Sequence, residues 1–477
     1  MTRLRLIPWL TLILAASACG PVEQPPSVVI VVVDSLRADH LHHAGDPRPL
    51  SPRLDQLATQ ATRFSQASSA SPWTTPSVMS LFTGLVPASH RVDMNDRSLS
   101  AQVQTLPERL QAAGFATAAV MPALTLADHF GFDRGFDDFI FATQGHNNVS
   151  GPWSVNQAIQ VLRRHPDDPV FLYVHLWDVH YNYNPPVPQA VRFQAGRPAG
   201  PGETDDVTAL TAPGHDASGL PPERLAWLEG QYAGEILFTD EQVGRILDEL
   251  DRQGRSDNTI VMVTADHGEA FLEHGVLGHT VDLHDEMTHV PLLVRWPGQV
   301  REDREIRNQV SLVDLAPTLL DLLGLAYDAG DFDGHSLAPV LTGEDEAPES
   351  RPVMLETSRR TLKRGLRTPD TAFQIDLVTG EPALHDLNTD PGAQANLAEE
   401  RPAEVDVWRR LLCSRLEESA ARGIGIEILP TDLQDSLAAG LRTLGYVAAG
   451  NGRKARSQDP VLESRRIMDA AGCPGER

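Results

Sequence analysis

Two apolar runs of this 477-residue chain end in residues that can bind a cation. Val28 to Val33 leads into Asp34, and Ile260 to Thr264 leads into Ala265-Asp266-His267-Gly268. In open α/β sheets, ligands gather at the carboxyl ends of strands. Asp34, Asp266 and His267 can therefore meet on one ion from distant parts of the chain. Taken singly, an Asp after a strand is most often a turn residue; two such ends, one followed by His, point to metal. Thr74 stands within Ser71-Pro72-Trp73-Thr74-Thr75-Pro76-Ser77. Thr75 has the form of a helix N-cap, Pro76 suits the first helical position, and Gly84 is a stop. Thr74 is then expected just ahead of a helix N-terminus, where amides and dipole favour negative charge. That is a place for an alkoxide nucleophile, although an ordinary capped helix would look the same. Histidines add to the signal: His175 and His180 follow the run Val170 to Val174, and His274 and His279 follow the Asp266 segment. Imidazoles just past two strand ends suit proton transfer and anion contact.

The elements that must carry these residues are legible from hydrophobic pattern. Val28 to Val33 is a continuous β-branched run, the mark of a strand buried on both faces of a parallel sheet. Similar runs occur at Ala116 to Met121, Val170 to Val174 and Ile260 to Thr264. Helical spacing predicts helices over Leu54 to Phe64, Leu106 to Ala113 and Leu225 to Leu250. Strands alternating with helices predict an α/β fold: a mostly parallel central sheet flanked by helices. Short strands at Val353 to Glu356, Leu362 to Leu366 and Thr371 to Ile375 predict a smaller C-terminal antiparallel sheet. A helix from Glu404 to Ala421 follows. Ala195 to Pro222, rich in Gly, Pro and Asp, is expected as a surface loop.

Net charge is −25, from 40 Lys+Arg against 65 Asp+Glu. Such a surface argues against nucleic acid and leaves a small anionic ester to be bound locally. Arg3 and Arg5 precede the apolar run Leu6 to Leu14 and the small residues before Cys19. The run is too short for a membrane span, which needs roughly 20 apolar residues, and reads as a secretory signal. Cys19 resembles the lipidated cysteine of bacterial lipoproteins, with Ala16 in place of the usual Leu. The expected organisation is a signal peptide over 1–18, a tether over 19–27, a catalytic α/β domain over 28–345, a C-terminal α+β subdomain over 346–450 and a loosely ordered tail over 451–477. The expected location is periplasmic or cell-envelope, with membrane association through the lipid. Cys413 and Cys473 remain, and one disulfide between them is possible.

Val31-Val-Val-Asp34-Ser-Leu-Arg37-Ala-Asp39 resembles the opening motif of the sulfatases, within the sulfatase and alkaline phosphatase superfamily. Ser80-Leu-Phe-Thr83-Gly84-Leu-Val-Pro87 is similar to the tail of their nucleophile motif. Asp266-His267-Gly-Glu269, Glu273-His274-Gly and Val290-Pro291-Leu-Leu-Val-Arg295-Trp-Pro297-Gly298 resemble their second metal segment and the strand after it. Leu384-His-Asp386-Leu-Asn-Thr-Asp390-Pro391 and Leu444-Gly445-Tyr446-Val447 also look like bacterial members. The resemblance implies Asp34, Asp266 and His267 as metal ligands and Thr74 as nucleophile and ligand. It implies His180 and His279 as catalytic contacts to the transferred group or leaving oxygen, and His175 and His274 as substrate-binding.

The departures from that family matter. Thr74 stands where sulfatases carry the Cys or Ser that becomes formylglycine, and Val78 where they carry Arg. Oxidised threonine would be a ketone, and a sulfated threonine lacks the second hydroxyl through which formylglycine expels sulfate. A phosphorylated threonine can be attacked at phosphorus by water or an alcohol. Ser35 in place of an Asp, and His267 in place of Asn, suit Zn²⁺ or Mn²⁺ better than Ca²⁺. The expected activity is metal-dependent hydrolysis or transfer of a phosphate ester or diester through Thr74, with a small anionic ester or lipid or glycan as substrate. The alternatives are a sulfatase working without formylglycine and an inactive binding lipoprotein.

Overall fold

The computed structural model describes residues 25–142, 151–193, 207–211, 217–443 and 459–473. The signal segment, Cys19 and Leu444 to Val447 lie outside the described residues, as does most of the loop from Ala195 to Pro222. Among the described residues, no helix is long and apolar enough to cross a membrane.

The eight-stranded central sheet runs, edge to edge, through Arg304–Ile306, Thr62–Phe64, Leu292–Arg295, Thr259–Ala265, Ser27–Val33, Val170–Leu176, Ala116–Met121 and Asp138–Phe141. Five neighbours from Thr259–Ala265 to Asp138–Phe141 pair in parallel, and Leu292–Arg295 runs against its neighbours. Val28 to Val33 are each at most 1% exposed. Burying one such side chain contributes about 1.5 kcal/mol or more, so the unbroken β-branched run secures the centre of the sheet.

The strand runs sit within one or two residues of their expected bounds, and the helix Pro222–Arg252 covers the expected stripe. Leu54 to Phe64 departs from expectation. The helix stops at Ala58 and Thr62–Phe64 becomes a strand, because pairing with Leu292–Arg295 and Arg304–Ile306 outweighs local helical spacing.

The start of helix Pro52–Ala58 is held by a distant residue. Asp240, on the long helix, accepts from the amides of Arg53 (2.9 Å) and Leu54 (2.8 Å). Burial outweighs those two bonds and pushes its carboxyl up to about 7. A folded-state value above the unfolded one means stability is greatest below the unfolded value and is lost as pH rises through about 7. Asp240→Asn replaces one acceptor with a donor and costs about 1 kcal/mol at acid pH. Melting curves across that range should show its deficit shrinking as pH rises; a constant deficit would remove burial as the cause.

The C-terminal sheet is antiparallel, in the order Val353–Thr357, Lys363–Arg367, Thr371–Asp376 and Pro382–Asp386. Its core includes Leu366, Phe373 and Leu384 together with Ala70, Val86 and Val313 of the larger part. The expectation of a loosely ordered tail fails over residues 459–473. Pro460–Ala470 is a helix packed against Pro402–Ala421, and Cys473 is bonded to Cys413 across 60 residues. By loop-closure entropy, a bond of that span contributes about 4 kcal/mol.

Candidate active site

Sheet register sets the site. Val33 pairs with Leu176 on one side and Ala265 on the other, and Val32 pairs with His175. Asp34 and Asp266 are therefore the next residues off two adjacent parallel strands, at one level, with His175 beside them. All three are buried, and one ligand atom from each lies within 4.8 Å of the others. His175 Nε2 is 3.1 Å from Asp34 Oδ2, while its Nδ1 is 3.0 Å from the Tyr173 hydroxyl. His175 thus belongs to the carboxylate group, not to the outer position implied by resemblance.

Local backbone geometry presents the donors. Ser35 takes a positive φ of 58°. Its amide donates to Asp266 Oδ1 (3.1 Å) and its hydroxyl to Asp34 Oδ1 (2.7 Å). The Tyr232 hydroxyl donates to the Ser35 carbonyl at 2.7 Å, bracing this turn from the long helix. His267 Nδ1 lies 2.8 Å from the Gly268 carbonyl, so that nitrogen carries the proton and Nε2 faces the site. Gly268 is required by packing: a Cβ there would meet the Glu286 carbonyl at 2.3 Å.

Thr74 is the first residue of the helix Thr74–Thr83, with Trp73 in extended conformation before it. The helix thus starts two positions earlier than expected. Thr75 does not cap the helix; its hydroxyl donates to the Thr125 carbonyl at 2.7 Å. Pro76 has no N–H and the Ser77 amide donates to the Trp73 carbonyl, which leaves the amides of Thr74 and Thr75; Thr74 Oγ1 is 3.4 Å from Asp34 Oδ2 and 3.4 Å from His267 Nε2. All ten residues of this helix are buried, and Ser77 ties it to the strand end by donating to the Asp266 carbonyl. Val78 is packed in the main core and brings no charge.

Electrostatics show what the group lacks. Burial raises the Asp34 carboxyl, but the His175 hydrogen bond and the charges of His180 and His267 together hold it well below the usual range. Asp266 is pushed up to about 6, by burial and then by the charge of Asp34. Its Oδ2 has no hydrogen-bond partner among the described residues, although His267 Nε2 is 3.5 Å away. Two buried carboxylates, imidazole nitrogens and a hydroxyl around an unsatisfied oxygen fit a divalent ion.

The remaining histidines divide. His279 lies next to His267, ring centroids 4.3 Å apart, and 5.0 Å from His180. Its Nδ1 is 3.0 Å from Oε1 of Glu269, a fully buried residue. Burial, followed by the charges of His267 and His180, holds His279 well below the ordinary imidazole value. Burial also raises Glu269 well above the carboxylate range. His180 donates from Nδ1 to the Tyr181 carbonyl and stacks on Trp177 at 4.2 Å.

His274 is not brought in. It pairs with Glu286 at 2.7 Å and stacks on His284 at 3.6 Å. The short excursion after Asp266 turns it toward the C-terminal sheet, where Gln394 and the Ala393 carbonyl contact it.

Glu269 lay within a segment singled out by sequence but was given no role; a carboxylate three residues past Asp266 was its only signal. Arg359 and Arg360 carried none. Arg359 places its guanidinium 4.6 Å over the Trp73 ring, and Arg360 Nη1 donates to the Thr211 carbonyl at 2.6 Å.

Comparison with known proteins agrees with this geometry. The sulfatase family model matches residues 26–325. An ulvan-active sulfatase of Formosa agariphila is 25% identical over 78% of this chain and 77% of its own length. A multifunctional alkaline phosphatase superfamily protein of Trinickia caryophylli is 24% identical over 66% of this chain and 77% of its own. The crystal structure of a phosphonate monoester hydrolase of Agrobacterium radiobacter shares the fold. Its TM-score is 0.70 at 23% identity, covering 82% of this chain and 96% of that one.

Proposed function

The chain belongs to the sulfatase family and is a hydrolase of sulfuric or phosphoric esters, and on that premise we propose that it cleaves a phosphate ester through Thr74. One observation carries the reading: a threonine hydroxyl at a helix N-terminus, 3.4 Å from both Asp34 and His267, where no formylglycine can form. The relatives include a protein named for sulfate esters and another named for the alkaline phosphatase superfamily, so family membership leaves the ester open. The chemistry of threonine supports phosphorus.

Asp34, Asp266, His267 and Thr74 would hold the divalent ion, with His175 beside them. Zn²⁺ or Mn²⁺ suits the mixed imidazole and carboxylate donors better than Ca²⁺. When bound, such an ion lowers the pKa of the hydroxyl and offsets charge on the transferred group.

The chain's own residues do the rest. Thr74 Oγ1 gives up its proton to Asp34 and forms a bond to phosphorus as the bond from phosphorus to the leaving oxygen breaks. The Thr74 and Thr75 amides at the start of the helix Thr74–Thr83 and the His180 imidazole steady the phosphoryl oxygens. His279, kept neutral by burial, donates its Nε2 proton to the leaving oxygen as the neutral Glu269 carboxyl passes its own proton to Nδ1. Water, or an acceptor alcohol, then attacks phosphorus, breaks its bond to Thr74 Oγ1 and returns the hydroxyl.

The test is direct competition. Purified protein loaded with Zn²⁺ or Mn²⁺ is assayed on an aryl phosphate, an aryl phosphodiester and the matching aryl sulfate. Phosphorus esters should be cut at least about a hundredfold faster, as judged by kcat/KM. Faster release of sulfate would return the assignment to a sulfatase acting without formylglycine.

A further inference from the structure

We propose that Arg359 and Arg360 form an anion subsite on the leaving-group side of Thr74, selecting esters whose leaving portion carries a second negative charge. This deepens the phosphoryl reading and rests on it for the placement of the leaving group.

The subsite is built by a hairpin of the C-terminal sheet. Thr357 pairs with Lys363 at the last rung, leaving 358–362 as the turn. Three bonds fasten that turn to consecutive residues just past His279. Thr357 Oγ1 donates to the Thr280 carbonyl (2.9 Å), Thr361 Oγ1 to the Val281 carbonyl (2.6 Å) and Lys363 Nζ to Asp282 (2.6 Å). The Thr280 amide in turn donates to the Pro72 carbonyl at 3.0 Å, two residues before Thr74. From beneath, buried Arg364 donates to the Thr357 carbonyl (3.0 Å) and Ser358 Oγ (3.1 Å) and pairs with Glu356 (2.7 Å). Hairpin tip, His279 loop and nucleophile segment are thus one hydrogen-bonded unit. A turn this firmly held presents its side chains at little entropic cost.

The two arginines are partly exposed at this tip. Arg359 lies over Trp73, the residue before the nucleophile, and Arg360 is oriented by the Thr211 carbonyl. The bonds from this hairpin to residues 280–282 set the turn beside His279, the residue assigned to the leaving oxygen. A chain of net charge −25 repels anions at distance, so two planar forks at the site mouth suit a carboxylate or second phosphate.

Binding of non-hydrolysable ligands tests this without turnover. Benzylphosphonate and para-carboxybenzylphosphonate are titrated calorimetrically into metal-loaded wild-type protein, the Arg359→Ala/Arg360→Ala variant and the Arg359→Lys/Arg360→Lys variant. Wild type should bind the carboxylated ligand at least about tenfold tighter. The alanine pair should bind both alike, with affinity for the plain ligand retained, and the lysine pair should recover part of the preference. No preference in wild type, or equal weakening of both ligands in the alanine pair, overturns the subsite. The phosphoryl reading fails separately: if phosphonates bind with the expected preference but no phosphate ester is cut, only that reading falls.

Discussion

Thr74→Ala should lower turnover of a phosphate ester by about 10⁴-fold or more while the protein keeps its fold, because it removes the only atom proposed to bond phosphorus. Alanine is a better helix former than threonine, and the loss of one buried methyl and one hydroxyl costs about 1 kcal/mol. Thr74 is only 1% exposed, so the vacated space is small and closed. Circular dichroism and melting temperature should therefore change little. Thr74→Ser keeps the oxygen but frees its rotamer, and should retain activity within about tenfold. Activity in the alanine variant above a tenth of wild type would end the case for a covalent threonine intermediate.

The second large effect concerns the carboxylates, and its size depends on metal. Asp34→Asn should bind no tight Zn²⁺ or Mn²⁺ and lose turnover by at least about a thousandfold, measured beside metal analysis of dialysed protein. Its stability should fall in metal-free buffer as well, by something on the order of 1 kcal/mol. Against burial, the His175 hydrogen bond and the charges of His180 and His267 hold the Asp34 carboxyl well below the usual range, so its surroundings favour a charge that asparagine lacks. Relief of Asp266, which burial and that charge push up, offsets part of the loss. Adding saturating metal should widen the gap, since wild type alone gains ligand-binding stability. Melting curves with and without chelator decide it. If Asp34→Asn is destabilised equally in both conditions, the carboxylate is structural and the metal assignment fails.

Much of the site could be read from residues close together in the chain. A β-branched run followed by Asp34, another followed by Asp266-His267, and Thr74 beside a Pro-led helix are local patterns. Their physical basis, strand propensity and the end effects of helices and strands, acts over a few residues. The order of these segments also identified the family before any geometry was available. The proposal that threonine replaces formylglycine chemistry needs no fold at all, since it rests on the chemistry of one side chain.

Other assignments depended on contacts that no local pattern encodes. His175 and His274 look alike in sequence, each shortly after a strand end. Register places one against Asp34, and a short excursion sends the other to Glu286. Helical spacing over Leu54 to Phe64 yielded to strand pairing with segments more than two hundred residues away. Glu269 became a partner for His279 only through burial, and Cys473 met Cys413 only because two C-terminal helices pack together. Arg359 and Arg360 belong to a hairpin whose bonds to residues 280–282 bring Arg359 over Trp73 and Arg360 against the Thr211 carbonyl. By itself the sequence determined the strands, the candidate nucleophile and the class of chemistry, because those follow from neighbours along the chain. Which histidine joins the carboxylates, and which cation stands over Trp73, was decided by tertiary structure, because sheet register and the docking of one sheet on another are set by packing across the whole molecule.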